Sequence, residues 1–197
     1  MESVANVKRL GYVGSQSQQV RGVIDGDNDD WYTPSEWIEA ARFVLYGIDL
    51  DPFSSDLANQ RVQATRYFTQ EDDAFTQEWN AKSVWMNPPY TRGLVDKAVS
   101  KFVDEYRLGR FAHGMVLVNN MTDTRWYRRL LIASSFHCNI MGRIGFENAA
   151  GQRISGNTRG QTLFLFSKQS KMKARFCQRM TELEQIPLCK WGVGNGT

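Results

Sequence analysis

The sequence predicts a three-layer α/β domain built on a mainly parallel sheet that ends in an antiparallel C-terminal hairpin. Three observations carry this expectation. Segments with apolar residues at helical spacing alternate with short apolar runs, as strands and helices do in layered α/β folds. One run, HGMVLVNN at 113–120, is apolar almost throughout, the pattern of a strand covered on both faces. Near the C-terminal end, two short segments flank a turn from Asn148 to Gln152.

Taken in order, TPSEWIEAARFVLYG (33–47) reads as a helix with Thr33 as N-cap, Pro34 at the first helical position, Glu36 completing a capping box and Gly47 ending it. IDLD (48–51) follows as a short strand. SVWMN (83–87) is another, stopped by Pro88 and Pro89, which cannot pair inside a sheet. Val95, Ala98, Val99, Phe102, Val103 and Tyr106 mark the buried face of a helix. After strand 113–120 come a helix at 124–133, a hairpin at 139–154, a strand at 161–168 and a basic helix from Ser170 to Gln185. Residues 1–29, rich in Gly, Ser, Gln and Asp, are expected to be a mobile arm, 30–190 a single domain and 191–197 a frayed tail.

At 197 residues, 42% hydrophobic and 23% charged, the composition is that of one globular domain. No apolar run reaches the roughly 18 residues of a membrane span, and MESVANVKRL lacks the apolar core of a signal peptide. A soluble cytoplasmic protein without a membrane partner is therefore expected. Cys138, Cys177 and Cys189 show no C-x-x-C spacing and have only His113 and His137 as companions, which argues against a disulfide scaffold and a metal site. The net charge of +3 hides an asymmetry: residues 1–91 hold 7 Lys/Arg against 14 Asp/Glu, and residues 92–197 hold 17 against 7. The basic second half suits a polyanion.

Ligands of such sheets bind at the carboxyl ends of strands. Two of those ends carry unusual residues, Asp49 to Pro52 and Asn87 to Tyr90. Asn87-Pro88-Pro89-Tyr90 brings together an amide, a rigid carbonyl-bearing loop and an aromatic ring. With DWYTP, IDLDPFSSDLANQ, RYFTQEDDAFTQEW, SVWMNPPYTRG and GRIGFENAAGQRISGN in that order, the chain from Asp30 to Lys168 resembles the Dam-type DNA adenine methyltransferases of phages and prophages.

The resemblance implies a Rossmann-like class I methyltransferase sheet, S-adenosyl-L-methionine as cofactor and duplex DNA as partner. It implies that the Asn87 side-chain oxygen and the Pro88 carbonyl accept hydrogen bonds from the adenine amine, that Pro89 stiffens the loop and that Tyr90 stacks on the base. An aryl amine is a poor nucleophile because its lone pair is delocalised. Two acceptors aimed at its hydrogens favour a tetrahedral nitrogen and stabilise the charge developing there. Because that nitrogen is enclosed in the duplex, the base must be extruded.

By the same resemblance, Thr33 and Pro34 face the methionyl carboxylate. Asp49, Asp51, Pro52 and Phe53 form a cofactor cluster, and Asp72, Asp73 and Phe75 pack its adenine ring. A glycine-rich G-x-G turn is absent and DLDPFSS stands in its place, so Asp51 is open to either ribose hydroxyls or the methionyl ammonium. Phe146 is placed to sandwich the target base against Tyr90. Arg143, Arg153, Asn157, Arg159, Gln161, Lys168, Lys171, Lys173 and Arg175 are candidates for base edges or phosphates. A short or relaxed recognition site is expected, while the oligomeric state stays open. Methylation of RNA or protein glutamine, or a non-catalytic DNA-binding or anti-restriction role, are the competing readings.

Overall fold

The computed structural model describes residues 31–90, 93–154 and 156–189; the expected arm and tail lie outside them. Among the described residues, β1 (Leu50–Asp51), β2 (Arg66–Tyr67), β3 (Ser83–Met86) and β4 (His113–Asn119) pair in parallel in the spatial order β2-β1-β3-β4. β6 (Gln161–Ser167) then lies antiparallel to β4, followed by β5 (Phe136–Asn139) and β7 (Pro187–Cys189), each antiparallel to its neighbour.

The sheet is thus half parallel and half antiparallel, against the expectation of a mainly parallel one. The cause is the connection from β5 to β6. A parallel return needs a crossover, usually a helix, and the described residues between 140 and 160 contain none. The expected hairpin at 139–154 is reduced to β-bridges between Glu147 and Arg153 and between Tyr32 and Glu147. Its turn is where the sequence places it: the Asn148 N–H donates to the Gln152 carbonyl at 2.9 Å, and the Gln152 N–H donates to Asn148 Oδ1 at 3.0 Å.

Side chains alternate across the sheet and feed a core on each face. Trp85, Met115, Leu117, Leu163 and Leu165 pack with α1 (Ser35–Leu45) and α5 (Ser170–Glu182). Val84, Met86, Val116, Val118, Phe164 and Phe166 pack with α3 (Leu94–Arg107) and α4 (Arg125–Ala133). This double cover explains why β4 is apolar at successive positions. Gly114 in β4 is required by the packing, since a Cβ there would lie 2.5 Å from the Phe102 ring.

Local signals account for most helix boundaries. α1 ends on two left-handed residues, Tyr46 (φ 59°) and Gly47 (φ 106°), with the Gly47 N–H bonded to the Arg42 carbonyl at 2.9 Å. At its start the expected capping box does not form. Pro34 is the cap residue and no side chain caps the helix; the Thr33 hydroxyl and the Glu36 carboxylate are engaged with Asn87 and Arg153. α2 (Asp56–Val62) is capped by Ser55, whose hydroxyl accepts from the Ala58 N–H at 3.1 Å.

Candidate active site

The C-terminal ends of β1 and β3 open onto a cleft lined by Thr33, Asp51, Phe53, Arg61, Trp85 and Asn87. Asn87 leaves β3 just before the two prolines. Its Nδ2 donates to Thr33 Oγ1 at 3.1 Å, which turns Oδ1 to the opposite side as an acceptor. Beyond α3 in sequence but adjacent to β3 in the sheet, β4 anchors the other end of the loop: the Asn119 backbone N–H donates to the Tyr90 hydroxyl at 2.6 Å. The Tyr90 ring packs on the α3/α4 side of the core. Burial pushes its phenol further above the ordinary value, so it stays protonated.

Asp51 ends β1 and is 3% exposed. Its Oδ1 accepts from the Phe53 N–H at 3.2 Å. That bond and the Ser54 hydroxyl favour the charged form, but desolvation outweighs them and pushes the pKa up to about 7. No lysine or arginine pairs with it among the described residues. Behind Asp51, after the buried turn residue Pro52, the Phe53 ring lies 5.3 Å from Phe75 and edge-on to Trp79 at 5.8 Å.

Phe75, which backs the cleft residue Phe53, rests on a tight turn. Asp72 Oδ2 accepts from the Thr69 N–H at 2.8 Å and the Thr69 hydroxyl at 2.9 Å, and these bonds hold its carboxyl below the usual range. Asp73 takes a left-handed conformation (φ 47°), which Asp tolerates better than most residues, and its Oδ1 accepts from the Phe75 N–H at 3.2 Å. Both carboxylates thus shape the turn that sets Phe75 against Phe53.

Residues 22–185 match the family model described as DNA N-6-adenine-methyltransferase (Dam). The chain belongs to this Dam family. It is 27% identical over 150 residues to a DNA N-6-adenine-methyltransferase of Haemophilus phage HP1, covering 73% of this chain and 82% of that protein. With a DNA N-6-adenine-methyltransferase of Escherichia phage T1 it shares 24% identity over 158 residues, covering 72% of this chain and 63% of the relative. No helix among the described residues is long and apolar enough to cross a membrane.

Several candidates stand elsewhere in this Dam-family chain than the sequence suggested. Asp49 precedes β1, and its Oδ2 accepts from the Lys82 N–H at 2.7 Å. It lines a separate concavity with Ser83 and His113, at the N-terminal ends of the strands. Phe146, expected beside the target base, is an interior residue in this structure. It is 3% exposed and packs in the core beside Trp31, ring centroids 6.2 Å apart, because the Tyr32–Glu147 bridge holds the segment inward.

Lys171 and Lys173 are also displaced. The antiparallel β6 delivers α5 to the end of the sheet opposite Asn87. There Lys171 lies 5.6 Å over the Tyr46 ring, Lys173 5.7 Å over Phe136, and Arg175 stacks 3.9 Å from both Phe43 and Tyr46. Lys168 follows β6 at the same end.

The 157–161 loop splits by role. Gln161, 1% exposed, donates to Asn119 Oδ1 at 3.1 Å and the Arg159 carbonyl at 2.9 Å, and accepts from the Ile144 N–H at 3.3 Å. Asn157 donates to the Ile144 carbonyl at 2.9 Å and accepts from the Arg159 N–H at 3.1 Å. Both amides hold the loop through these bonds. Arg159 is half-buried, and its charge acts on Tyr90. Arg143 is exposed next to Gly160, and Arg153 is exposed and paired with Glu36 at 2.6 Å.

The sequence reading missed Arg61. From α2 its guanidinium stacks 4.6 Å over Tyr32 and donates to the carbonyls of Asn148 at 3.0 Å and Ala149 at 3.1 Å. It also pairs with Glu147 at 3.4 Å. One side chain therefore ties α2 to the hairpin turn at the rim of the cleft. Its position after DLANQ, at the end of the resembling segment, was the only signal in the sequence.

Proposed function

We propose that this chain methylates the exocyclic N6 of adenine in duplex DNA with S-adenosyl-L-methionine as donor, on a Rossmann-like class I methyltransferase sheet. The observation that carries the reading is the anchored Asn87-Pro88-Pro89-Tyr90 loop, with its amide nitrogen on Thr33 and its phenol on β4. The cleft fits the donor. A buried carboxylate without a cation at Asp51 suits an ammonium or ribose hydroxyls, and the Phe53–Phe75 pair suits a purine ring. The start of α1, without a side-chain cap at Pro34, suits a carboxylate beside Thr33.

When bound, the donor supplies an electrophilic methyl group on its sulfonium. The chain's own residues hold and polarise the acceptor. Asn87 Oδ1 and the Pro88 carbonyl accept the two amine hydrogens, favouring a tetrahedral nitrogen and stabilising its developing positive charge. Tyr90, fixed by its hydroxyl, presents a ring wall to an extruded base. An amide cannot act as general base, so the amine proton leaves to water. Arg143, Arg153 and Arg159 supply positive charge around this edge for the phosphates. Such a mark would protect DNA from restriction.

The test is mass spectrometry of nucleosides from duplex DNA incubated with the protein and S-adenosylmethionine. N6-methyladenine from the wild type, with a loss of about 100-fold or more in Asn87→Ala, is expected. No methylated adenine on duplexes of varied sequence would overturn the reading.

A further inference from the structure

We infer that Thr33 is a positioning residue whose hydroxyl couples occupancy of the donor site to the orientation of the Asn87 amide. The inference rests on the proposed N6-adenine reaction and deepens it. Its basis is the 3.1 Å hydrogen bond from Asn87 Nδ2 to Thr33 Oγ1. Both residues line the cleft, and Thr33 is 8% exposed, so bulk water does not compete freely for its hydroxyl.

The two ends of an asparagine amide have nearly the same shape and opposite hydrogen-bonding character. Asn87 assists the amine only when Oδ1 faces it. Turned round, it would present N–H groups to N–H groups and oppose the charge that forms on nitrogen. The backbone at the end of β3 does not distinguish the two orientations, and no other bond to the Asn87 side chain occurs among the described residues.

The Thr33 hydroxyl makes the choice. It has one hydrogen to give and lone pairs to receive. In the cleft without donor it can either accept from Nδ2 or rotate and donate to Oδ1, which would permit the wrong orientation. A carboxylate at the start of α1 removes that freedom. A carboxylate only accepts, so the Thr33 O–H donates to it and the oxygen is left to accept from Asn87 Nδ2. Oδ1 then points at the amine. The amide is set when donor is present, and a base that arrives early meets an unset site.

The experiment compares wild type, Thr33→Ser, Thr33→Val and Thr33→Ala in single-turnover methyl transfer with DNA and S-adenosylmethionine both saturating. Calorimetric donor affinity and thermal melting accompany each variant. Thr33→Val and Thr33→Ala are expected to lower the saturated rate by about 10- to 100-fold beyond any loss of donor affinity, while Thr33→Ser stays within about threefold. Either non-hydroxyl variant that melts like wild type decides the matter. A saturated rate equal to wild type in that variant would overturn the coupling and leave Thr33 as a donor contact alone. A loss in Thr33→Ser as large as in Thr33→Val would overturn it too. Wild type that forms no N6-methyladenine instead overturns the parent reading, so the two failures are distinct.

Discussion

A carboxylate taken out of water without a cation is held in place by the rest of the fold at a cost, and Asp51 is in that position. Its pKa is raised from the ordinary carboxylate value to about 7 by burial. The folded state therefore binds this proton more tightly than the unfolded chain does. The resulting stability is fully present below about pH 4 and is lost as pH rises through about 7. The shift corresponds to at most roughly 4 kcal/mol. Asp51→Asn should raise the melting temperature by several degrees at pH 8 and leave it nearly unchanged at pH 4; equal effects at both pH values would refute the assignment. In the wild type, calorimetric affinity for S-adenosylmethionine should fall by up to tenfold per pH unit below about 7, because the charged form is the one that suits the donor. Asp51→Asn should bind weakly at every pH. At this scale the sequence was informative where covalent geometry fixes the outcome: Pro88 and Pro89 stop β3 and so place Asn87 and Tyr90. It was silent where a partner distant in sequence decides. Phe146 and Gln161 read as surface candidates, and partners remote in sequence, Trp31 for the first and Asn119 for the second among them, make them interior residues.

Short elements carry the parts of the site that periodicity does not reveal. β1 and β2 are two residues each and α2 is seven, too few to show a period of 2.0 or 3.6. Their stability comes from tertiary contacts, which is also why α2 and its Arg61 escaped the reading. That arginine makes charge-assisted bonds to two carbonyls and stacks on Tyr32, bonds of a kind worth about 1.5–3 kcal/mol each. Arg61→Ala should release the turn from Asn148 to Gln152 while α1 stays folded. Hydrogen exchange read by mass spectrometry should accelerate across 147–154 and hardly change across 35–45, with a several-fold rise in KM for DNA. Arg61→Lys should not restore protection, since an ammonium has neither the plane to stack nor the fork to span two carbonyls. Unchanged exchange at 147–154 in Arg61→Ala would show that the turn holds itself. The α1 boundary teaches the same lesson in reverse. Thr33 and Glu36 have the spacing of a capping box, yet each found a stronger partner across the fold, in Asn87 and Arg153.

Across the whole molecule, the direction of one strand redistributes the charge that the sequence displays. Reading along the chain, the basic second half looks like one DNA-binding face. Because β6 runs antiparallel to β4, the arginines and lysines of that half are divided between the two ends of the sheet. Arg143, Arg153 and Arg159 belong to loops at the Asn87 end, whereas Lys171, Lys173 and Arg175 lie at the far end against Tyr46, Phe136 and Phe43. A duplex whose base enters beside Tyr90 reaches the first group and not the second. The logarithm of affinity against the logarithm of salt falls with a slope of about 0.9 for each phosphate neutralised on duplex DNA. Arg153→Ala and Arg159→Ala should each flatten that slope by about 1 and weaken binding across unrelated sequences alike. Lys171→Ala and Lys173→Ala should leave slope and affinity as they are, despite removing the same charge from the same half of the chain. If instead the α5 lysines flatten the slope and the loop arginines do not, the duplex is held at the other end of the sheet, and the approach to Tyr90 proposed for it is wrong.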